Sequence, residues 1–184
     1  MKKTSFQDYL PFIFLGVVAI MGLFIPNTPL FADPEGKYNS GDIAWILVAS
    51  SLVFLMTPGL AFFYGGMVNR KNIIATMMQS FVATGVISVL WIVCGFSLSF
   101  GESIGGIIGN PTTFMFFKGV SSGAPWPGGP TIPLLLFALF QMKFAIITPA
   151  LVVGATAERI RFTSYILFMV LFSIRVILRA FTPI

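Results

Sequence analysis

The sequence contains little charge, no histidine and one cysteine, and each of these shortages excludes a class of protein. Charged residues make up 9% of its 184 residues, against roughly 25% in ordinary soluble domains. The single cysteine, Cys94, lies inside an apolar run, so the chain has no pair from which to form an internal disulfide. Without histidine it also lacks a common zinc ligand and any histidine-dependent catalytic triad. We therefore expect no metal and no other cofactor.

Apolar residues dominate the chain instead. Hydrophobic residues account for 57% of it, and the mean hydropathy is +0.94. These values predict an integral membrane protein. The formal net charge of +5 comes from basic residues that are scattered at the ends of apolar runs. Because a nucleic-acid site needs basic residues clustered on one face, we expect no nucleic-acid partner.

The amino-terminal segment, residues 1–32, has two interpretations. Two lysines precede the apolar run Pro11–Ile25, which is short for a membrane-spanning helix and is typical of a secretory signal peptide. Cleavage after Ala32 would fit, but Leu30 is large for the third position before the cleavage site, so an uncleaved hydrophobic anchor stays open. In both cases residues 33–42 would form an external linker.

Four apolar runs follow, and three of them are long enough to cross the roughly 30 Å hydrocarbon layer as helices. Basic residues follow the first and third runs, in the segments Asn69–Asn72 and Glu158–Arg161. When the helices alternate in direction, both segments face the cytoplasm, as the positive-inside rule requires. Segment 101–131, rich in glycine and proline, is then an external loop with a short helix near Thr113–Phe117. The predicted helices cover about residues 43–68, 73–100, 132–157 and 162–180.

Six stretches of the sequence form a pattern that is more specific than any one of them. They are Gly41–Trp45, Pro58–Gly66, Arg70–Asn72, Trp91 with Gly95–Gly101, Phe140–Phe144 and Gly154–Arg159. Between about Asn39 and Ser173, their order, spacing and intervening lengths resemble those of the ammonium transporter family, the Amt, Mep and Rh proteins.

The resemblance implies an all-α integral membrane protein with several passes through the cell membrane, in which this chain is the amino-terminal part of an eleven-helix inverted-repeat transporter bundle. Two five-helix halves of inverted topology enclose a narrow apolar pore in such proteins, and three subunits form a homotrimer. Ammonium is the implied substrate, held at an external aromatic vestibule where a ring face replaces part of its hydration. A hydrophobic passage disfavours the charged ion, so ammonia crosses after loss of a proton. The lipid bilayer and a cytoplasmic regulatory protein at the basic loops are further partners.

Only part of the family's substrate pathway falls within these residues. Phe144 matches the outer gate phenylalanine, and Phe140 and Gln141 match the stretch one turn before it. The vestibule tryptophan is expected near Phe172, where this chain has phenylalanine. The vestibule serine, the second gate phenylalanine, the aspartate near the substrate and the paired pore histidines belong to later helices of the family. None of these has a counterpart among the 184 residues.

The last ten residues depart from the family pattern. Arg175 and Arg179 stand one turn apart where the fourth apolar run should cross the membrane, and each costs roughly 2.5–3.5 kcal/mol at the centre of a helix. Family members continue this helix into a Tyr-x-Pro-x-x-His stretch. The codons allowed for Val176–Ile184 can be read one base over as a similar stretch, which indicates a frameshift. Residues 43–184 are accordingly interpreted as a truncated ammonium transporter domain that is inactive by itself.

The singled-out side chains also have purely structural interpretations. Phe144 is one of 21 phenylalanines, and aromatic residues on membrane helices usually serve packing. Lys143 lies inside an apolar helix, which marks it as a functional candidate, but extension of its stem to the external interface is the favoured interpretation. Asp42 is interpreted as the cap of the first helix rather than as a ligand.

Ammonium transport is thus the predicted function, and a non-transporting membrane fragment or an ammonium sensor-like relative is the alternative. The sequence does not favour an enzyme. No apolar run contains paired carboxylates, and no activated nucleophile is evident for acid–base chemistry.

Overall fold

The computed structural model describes Val17, Ile20 and residues 38–180 except 106, 107 and 122, with side chains described as far as Arg175. The signal peptide or anchor predicted for residues 1–32 lies outside the described residues, apart from Val17 and Ile20. The same holds for half of the linker predicted at 33–42, namely residues 33–37, and for the last four residues of the tail.

The described part of the chain is mostly helical. The helices are α1 (Ser40–Met67), α2 (Ile73–Leu90), α3 (Phe96–Phe100), α4 (Leu134–Thr156) and α5 (Phe162–Ala180). A π-helical turn, Trp91–Gly95, joins α2 and α3 into one continuous element, Ile73–Phe100.

Three of these elements are long and apolar enough to cross a membrane: Ser40–Met67, Ile73–Phe100 and Leu134–Thr156, each with a segment of mean hydropathy 1.9 or higher. The first two contain 28 residues each, about 42 Å of helix at 1.5 Å per residue. Because the hydrocarbon layer is about 30 Å thick, these two helices must tilt or project beyond it. The part of α5 whose side chains are described, Phe162–Arg175, is a shorter apolar helix.

The first helix begins at a cap that the sequence interpretation assigned to the wrong residue. The cap is Asn39, whose side-chain oxygen accepts a hydrogen bond of 2.8 Å from the Gly41 backbone N–H. Asp42 lies in the first helical turn, where a carboxylate favours the positive end of the helix dipole. The Asn39 N–H donates to the Thr131 carbonyl oxygen over 3.0 Å, and this bond sets the start of α1 level with the end of the external loop.

The external loop contains two small antiparallel sheets and one 3-10 turn among its described residues. These strands are absent from the all-α prediction, which treated the segment as a loop with a short helix. The elements are β1 (Ser103–Ile104) paired with β2 (Ile108–Gly109), the 3-10 turn Met115–Phe117, and β3 (Pro125–Trp126) paired with β4 (Gly129–Pro133).

The buried Ser97 hydroxyl anchors this loop to the end of the second spanning element. It donates to the Asn110 carbonyl oxygen over 2.7 Å and accepts a hydrogen bond of 2.9 Å from the Phe114 N–H. Gly109 permits the approach, since a Cβ atom there would lie 2.5 Å from the Ser97 carbonyl oxygen. The loop can therefore cover the external end of the helices only with glycine at this position.

Helix α1 packs against both α2 and α4, and α5 packs against α2 and α4. At its predicted cytoplasmic end α1 meets α4 through Tyr64, whose hydroxyl donates to the Leu151 carbonyl oxygen over 3.0 Å. The Tyr64 ring lies directly over Gly154, where a Cβ atom would come within 2.5 Å of a ring carbon. The core that these helices share is continuous from α2 to α5. It includes Ala83, Ile87, Trp91, Ala138, Ile146, Val153, Tyr165 and Met169.

We predict that Gly154→Val destabilises the chain by about 1–3 kcal/mol, because the added atoms must displace the Tyr64 ring from a packed contact. Unfolding of the purified protein in detergent micelles, followed by circular dichroism, measures the change. The matched control is Gly85→Val in the middle of α2, where a Cβ atom meets nothing within 4 Å. Equal stability of the two variants would contradict the close α1–α4 contact.

Candidate functional site

The two aromatic residues singled out on α4 form a pair on one face of that helix. Phe140 and Phe144 are one turn apart, and their rings meet edge to face with centroids 5.1 Å apart. Phe144 is 42% exposed in this chain, whereas Phe140 and Gln141 are half-buried. The Phe144 carbonyl oxygen also accepts a 2.8 Å hydrogen bond from the Thr148 hydroxyl. The pair therefore presents an aromatic surface that the other described residues leave partly uncovered.

A second group of aromatic rings lies between the phenylalanine pair and the external loop. The Trp126 indole stacks on the Phe137 ring with centroids 3.9 Å apart and an interplanar angle of 10°. Phe100 meets both rings edge to face, at 5.5 Å and 5.1 Å. This group encloses one side of a crevice of about 210 Å³ lined by Phe100, Trp126, Pro127 and Gly128. The contact of Trp126 with α4 spans a loop, so the local sequence pattern does not indicate it.

Trp91 sets the depth of α4 relative to the π-helical turn. Its side chain is fully buried, and its indole N–H donates to the Ala138 carbonyl oxygen over 3.1 Å. Ala138 lies two residues before Phe140. This bond therefore holds α4 against the π-helical turn at a position just before the phenylalanine pair. Tryptophan near the end of a membrane helix usually anchors at the interface, whereas Trp91 lies inside the core.

Lys143 lies next to the phenylalanine pair and does not extend to the external interface. Its Nζ atom lies 4.5 Å from the centroid of the Phe54 ring, and Phe54 is halfway along α1. The favoured expectation of an outward-reaching stem is therefore wrong. The side chain instead turns sideways within the membrane, toward an aromatic face that attracts a cation.

Glu158 joins the two predicted cytoplasmic loops. One carboxylate oxygen accepts hydrogen bonds from the Asn69 backbone N–H at 2.8 Å and from the Asn72 side-chain amide at 3.0 Å. The other oxygen accepts from the Asn69 side-chain amide at 3.3 Å. These hydrogen bonds, chiefly the one from Asn72 and then the one from the Asn69 backbone, lower the pKa of Glu158. The ionised carboxylate thus connects the loop after α1 to the loop after α4.

The backbone at Glu158 is in the left-handed region, with φ at 62°. That conformation is uncommon for a residue other than glycine, so the hydrogen bonds to the neighbouring loop favour a backbone that the residue alone would avoid. Beside the carboxylate lies a cavity of about 310 Å³ between the ends of α1 and α4. Its lining residues are Tyr64, Met67, Val68, Gly154, Ala155, Ala157, Glu158 and Arg159.

The remaining predicted positions do not add to the phenylalanine pair. Phe172, where the family resemblance places a vestibule tryptophan, stacks on Phe168 of the same helix with centroids 5.5 Å apart. Over the described residues, no group of histidine, cysteine or acidic side chains is arranged to hold a metal ion. The aromatic pair on α4 is accordingly the candidate site, and its chemistry is that of a ring surface.

Comparison with known proteins gives one consistent result. Residues 44–180 match the family model described as the Ammonium Transporter Family. The ammonium transporter of Aquifex aeolicus is 44% identical over 161 residues, which cover 87% of this chain and 37% of that protein. The putative ammonium transporter of Methanothermobacter thermautotrophicus is 48% identical over 132 residues, which cover 71% of this chain and 32% of that protein. The chain thus spans about a third of the length of the curated relatives it matches.

The fold is similar to that of solved membrane proteins. The crystal structure of Saccharomyces cerevisiae Mep2 matches with a TM-score of 0.68 at 32% identity, covering 80% of this chain and 33% of that chain. Candida albicans Mep2 matches with a TM-score of 0.65 at 30% identity, covering 75% of this chain and 30% of that chain. Together with the three apolar helices, these similarities make the chain a multi-pass protein of the cell membrane.

We predict that Glu158→Gln increases cleavage by trypsin in the loop after α1, where the protease cuts after Arg70 and Lys71. The neutral amide cannot hold the Asn69 N–H and the Asn72 side chain as strongly as a carboxylate does. The reaction is followed by mass spectrometry on the chain in vesicles, with the loops exposed to the protease. Glu102→Gln, which changes an exposed glutamate in the external loop, is the control and leaves the rate unchanged.

The pH dependence of this contact has a definite sign. Because the folded-state pKa of Glu158 is lowered, its contribution to stability is present above the ordinary glutamate pKa and is lost as the pH falls through the lowered value. Tryptic cleavage requires neutral pH, so protection of the Asn69 amide proton from exchange is measured instead between about pH 5 and 3, around the ordinary glutamate pKa of about 4.3. Undiminished protection across that window, or a decrease that persists in Glu158→Gln, contradicts the role given to Glu158.

Proposed function

We propose that this chain, which belongs to the Ammonium Transporter Family, forms part of a membrane protein that transports ammonium. The observation that carries the proposal is the Phe140–Phe144 pair, an aromatic surface on a membrane-spanning helix with Phe144 exposed. The resemblance gives Phe144 the role of outer gate and places Phe140 and Gln141 beside it. An edge-to-face pair of this kind leaves one ring face open toward a passing molecule.

The physical chemistry of an aromatic pair suits ammonium. A ring face attracts a cation and replaces part of its hydration shell. Where water is excluded, this attraction stabilises the cation by about 2 kcal/mol. The helix around the pair is apolar, and its only charged residue is Lys143, so a charged ion gains nothing further by moving along it. We propose that ammonium is attracted to the aromatic surface and that ammonia, after loss of a proton, continues through the membrane.

The rest of the transporter is proposed to cover apolar surfaces that the described residues leave exposed. Helix α1 exposes large apolar side chains along much of its length, and Trp45, Phe62 and Met67 are 74%, 66% and 70% exposed. In an eleven-helix bundle such surfaces face lipid, later helices or the other copies of a homotrimer. We propose that the described residues supply the first helices of such a bundle and need the remaining helices for transport.

A cytoplasmic regulatory protein is proposed as a partner of the loops that Glu158 connects. Arg70 and Lys71 in the first loop and Arg159 and Arg161 in the second make this side of the chain strongly basic. A partner with an acidic surface would be attracted there. An ammonium sensor-like protein that binds without transporting is the alternative, and no contact in the described residues favours it over transport.

A chimera tests the proposed function. In it, residues 38–173 of this chain replace the matching segment of the Aquifex aeolicus relative, and the chimera is expressed in cells that lack their own ammonium transporters. We expect growth on limiting ammonium, and no growth with the 184-residue chain alone. A chimera that reaches the membrane at normal abundance but restores no growth contradicts transport, and ammonium binding without flux in vesicles then favours the sensor-like alternative. Uptake by the 184-residue chain alone contradicts the need for further helices.

Phe144→Leu in the chimera is expected to lower ammonium uptake at limiting concentration by about tenfold, because leucine lacks the ring face that attracts the cation. Uptake of labelled methylammonium or ammonium in vesicles measures the effect. Phe62→Leu, at a phenylalanine of α1 that is 66% exposed, is the matched control. If both variants transport equally, Phe144 acts only in packing.

A further inference from the structure

Two hydroxyl groups inside the bundle lack the hydrogen bond that the membrane interior demands. Thr57 of α1 is 2% exposed and Ser80 of α2 is fully buried, and neither hydroxyl has a partner among the described residues. Ser51 and Ser88 of the same two helices each donate to a carbonyl oxygen one turn earlier. Because an unpaired buried hydroxyl is unfavourable, these two groups require an explanation.

The two hydroxyl groups lie at similar depths on neighbouring helices. A Cβ atom at Gly65 of α1 would meet the Met77 side chain of α2 at 2.9 Å and that of Ile73 at 3.6 Å, so Gly65 is level with the midpoint of those two residues. Measured from that level at 1.5 Å per residue, Thr57 lies about 12 Å and Ser80 about 7.5 Å toward the external side. The two residues therefore differ by only about 4.5 Å in depth.

Helix α4 brings a backbone carbonyl group to the same depth. Two contacts set its level against α1: Tyr64 with Leu151, and Phe54 with Lys143. Residues that face each other on these helices are thus about 88 positions apart, which places Ala145 level with Thr57. Since Thr57 belongs to the buried stripe of a helix that packs against both α2 and α4, the three helices meet at this level.

The Ala145 carbonyl group lacks the donor that a regular helix would give it. Pro149 stands four residues later, inside α4 and fully buried, and proline has no N–H to donate. In membrane helices the carbonyl groups that proline frees are satisfied by hydroxyl side chains or by ordered water. Neither Thr57 nor Ser80 donates to a carbonyl oxygen of the described residues, so a direct hydrogen bond does not supply that donor.

A bound molecule would satisfy all three groups. A buried water makes about three hydrogen bonds to protein groups, and the two hydroxyls and the carbonyl offer that number. Another helix of a longer protein cannot take its place, because this chain already covers both hydroxyl side chains. The neighbour on α2 at the level of Thr57 is Ala83, and its methyl side chain occupies little space.

We propose that α1, α2 and α4 hold one small neutral molecule between the hydroxyls of Thr57 and Ser80 and the carbonyl oxygen of Ala145. The molecule must both donate and accept hydrogen bonds, because the carbonyl group only accepts and the hydroxyls do both. Water has this chemistry, and ammonia shares it at nearly the same size, so the test includes both. The site does not rest on the proposed function, since water alone fills the role.

The direction of two stability changes tests the site in the 184-residue chain, purified in detergent micelles. Thr57→Val and Ser80→Ala each remove one hydroxyl with little change of shape. We expect each to lower the midpoint of thermal unfolding, followed by circular dichroism, by about 2–4 °C, because the bound molecule loses a partner. The double variant should lose less than the sum, since both changes disrupt the same bridge.

A hydroxyl that is simply unpaired gives the opposite sign, because its removal ends an unfavourable burial. Higher midpoints in the single variants, or additive losses in the double variant, therefore overturn the proposal. Ser88→Ala is the matched control on the same helix, since the Ser88 hydroxyl already donates to the Thr84 carbonyl oxygen over 2.6 Å. Its effect should add to that of Thr57→Val.

A crystal structure of the chimera, which contains residues 38–173, observes the site without any variant. Solvent density within hydrogen-bond distance of both hydroxyls supports the proposal, and direct hydroxyl–carbonyl bonds without such density overturn it. Unfolding of the unsubstituted chain in ammonium chloride and in potassium chloride, at mildly alkaline pH, then identifies the molecule. Equal midpoints indicate water, whereas a higher midpoint in ammonium chloride that Ser80→Ala abolishes indicates ammonia. None of these results depends on transport, so failure of the proposed function leaves them unchanged.

Discussion

A polar group inside the hydrocarbon layer must find its hydrogen-bond partner within the protein, and most of the packing described here follows from that constraint. Backbone N–H and C=O groups meet this constraint through the hydrogen bonds within the long helices. Several hydroxyl groups meet it by donating to the carbonyl oxygen one turn earlier, as Ser51, Thr84, Ser88, Ser99 and Thr148 do. These side chains return their hydrogen bonds to their own helices, and the helices contact one another through the apolar side chains of the shared core and through close approach at glycine. The buried hydroxyl groups of Thr57 and Ser80 have no hydrogen-bond partner among the described residues.

Two contacts between helices combine close packing of an aromatic ring with a hydrogen bond. Tyr64 lies over Gly154, and its hydroxyl reaches the Leu151 carbonyl oxygen. At the opposite end, the indole of Trp91 reaches the Ala138 carbonyl oxygen in the same way. In each case an aromatic residue supplies a large apolar surface together with one polar atom that satisfies a backbone group on the neighbouring helix. These two pairs fix α4, which carries Phe140 and Phe144, at both of its ends.

The membrane-spanning character and the family of the chain could be predicted from the sequence, because long apolar runs and the order of several motifs are local properties of the chain. The contacts that shape the candidate site could not. Lys143 was expected to extend outward, since the sequence shows the nearby interface but does not show the Phe54 ring on another helix. Asp42 was expected to cap α1 because it precedes the apolar run, whereas Asn39, which is also tied to Thr131, has that role.

The role of Glu158 was missed for a similar reason. In the sequence it belongs to a basic loop, and 86 or more positions separate it from the two asparagines that it contacts. Nothing in the local pattern indicates that pairing.

Through that one carboxylate, the turn between α1 and α2 is hydrogen-bonded to the turn between α4 and α5. The ends of four helices thus meet, on the predicted cytoplasmic side, at the hydrogen bonds of a single ionised side chain.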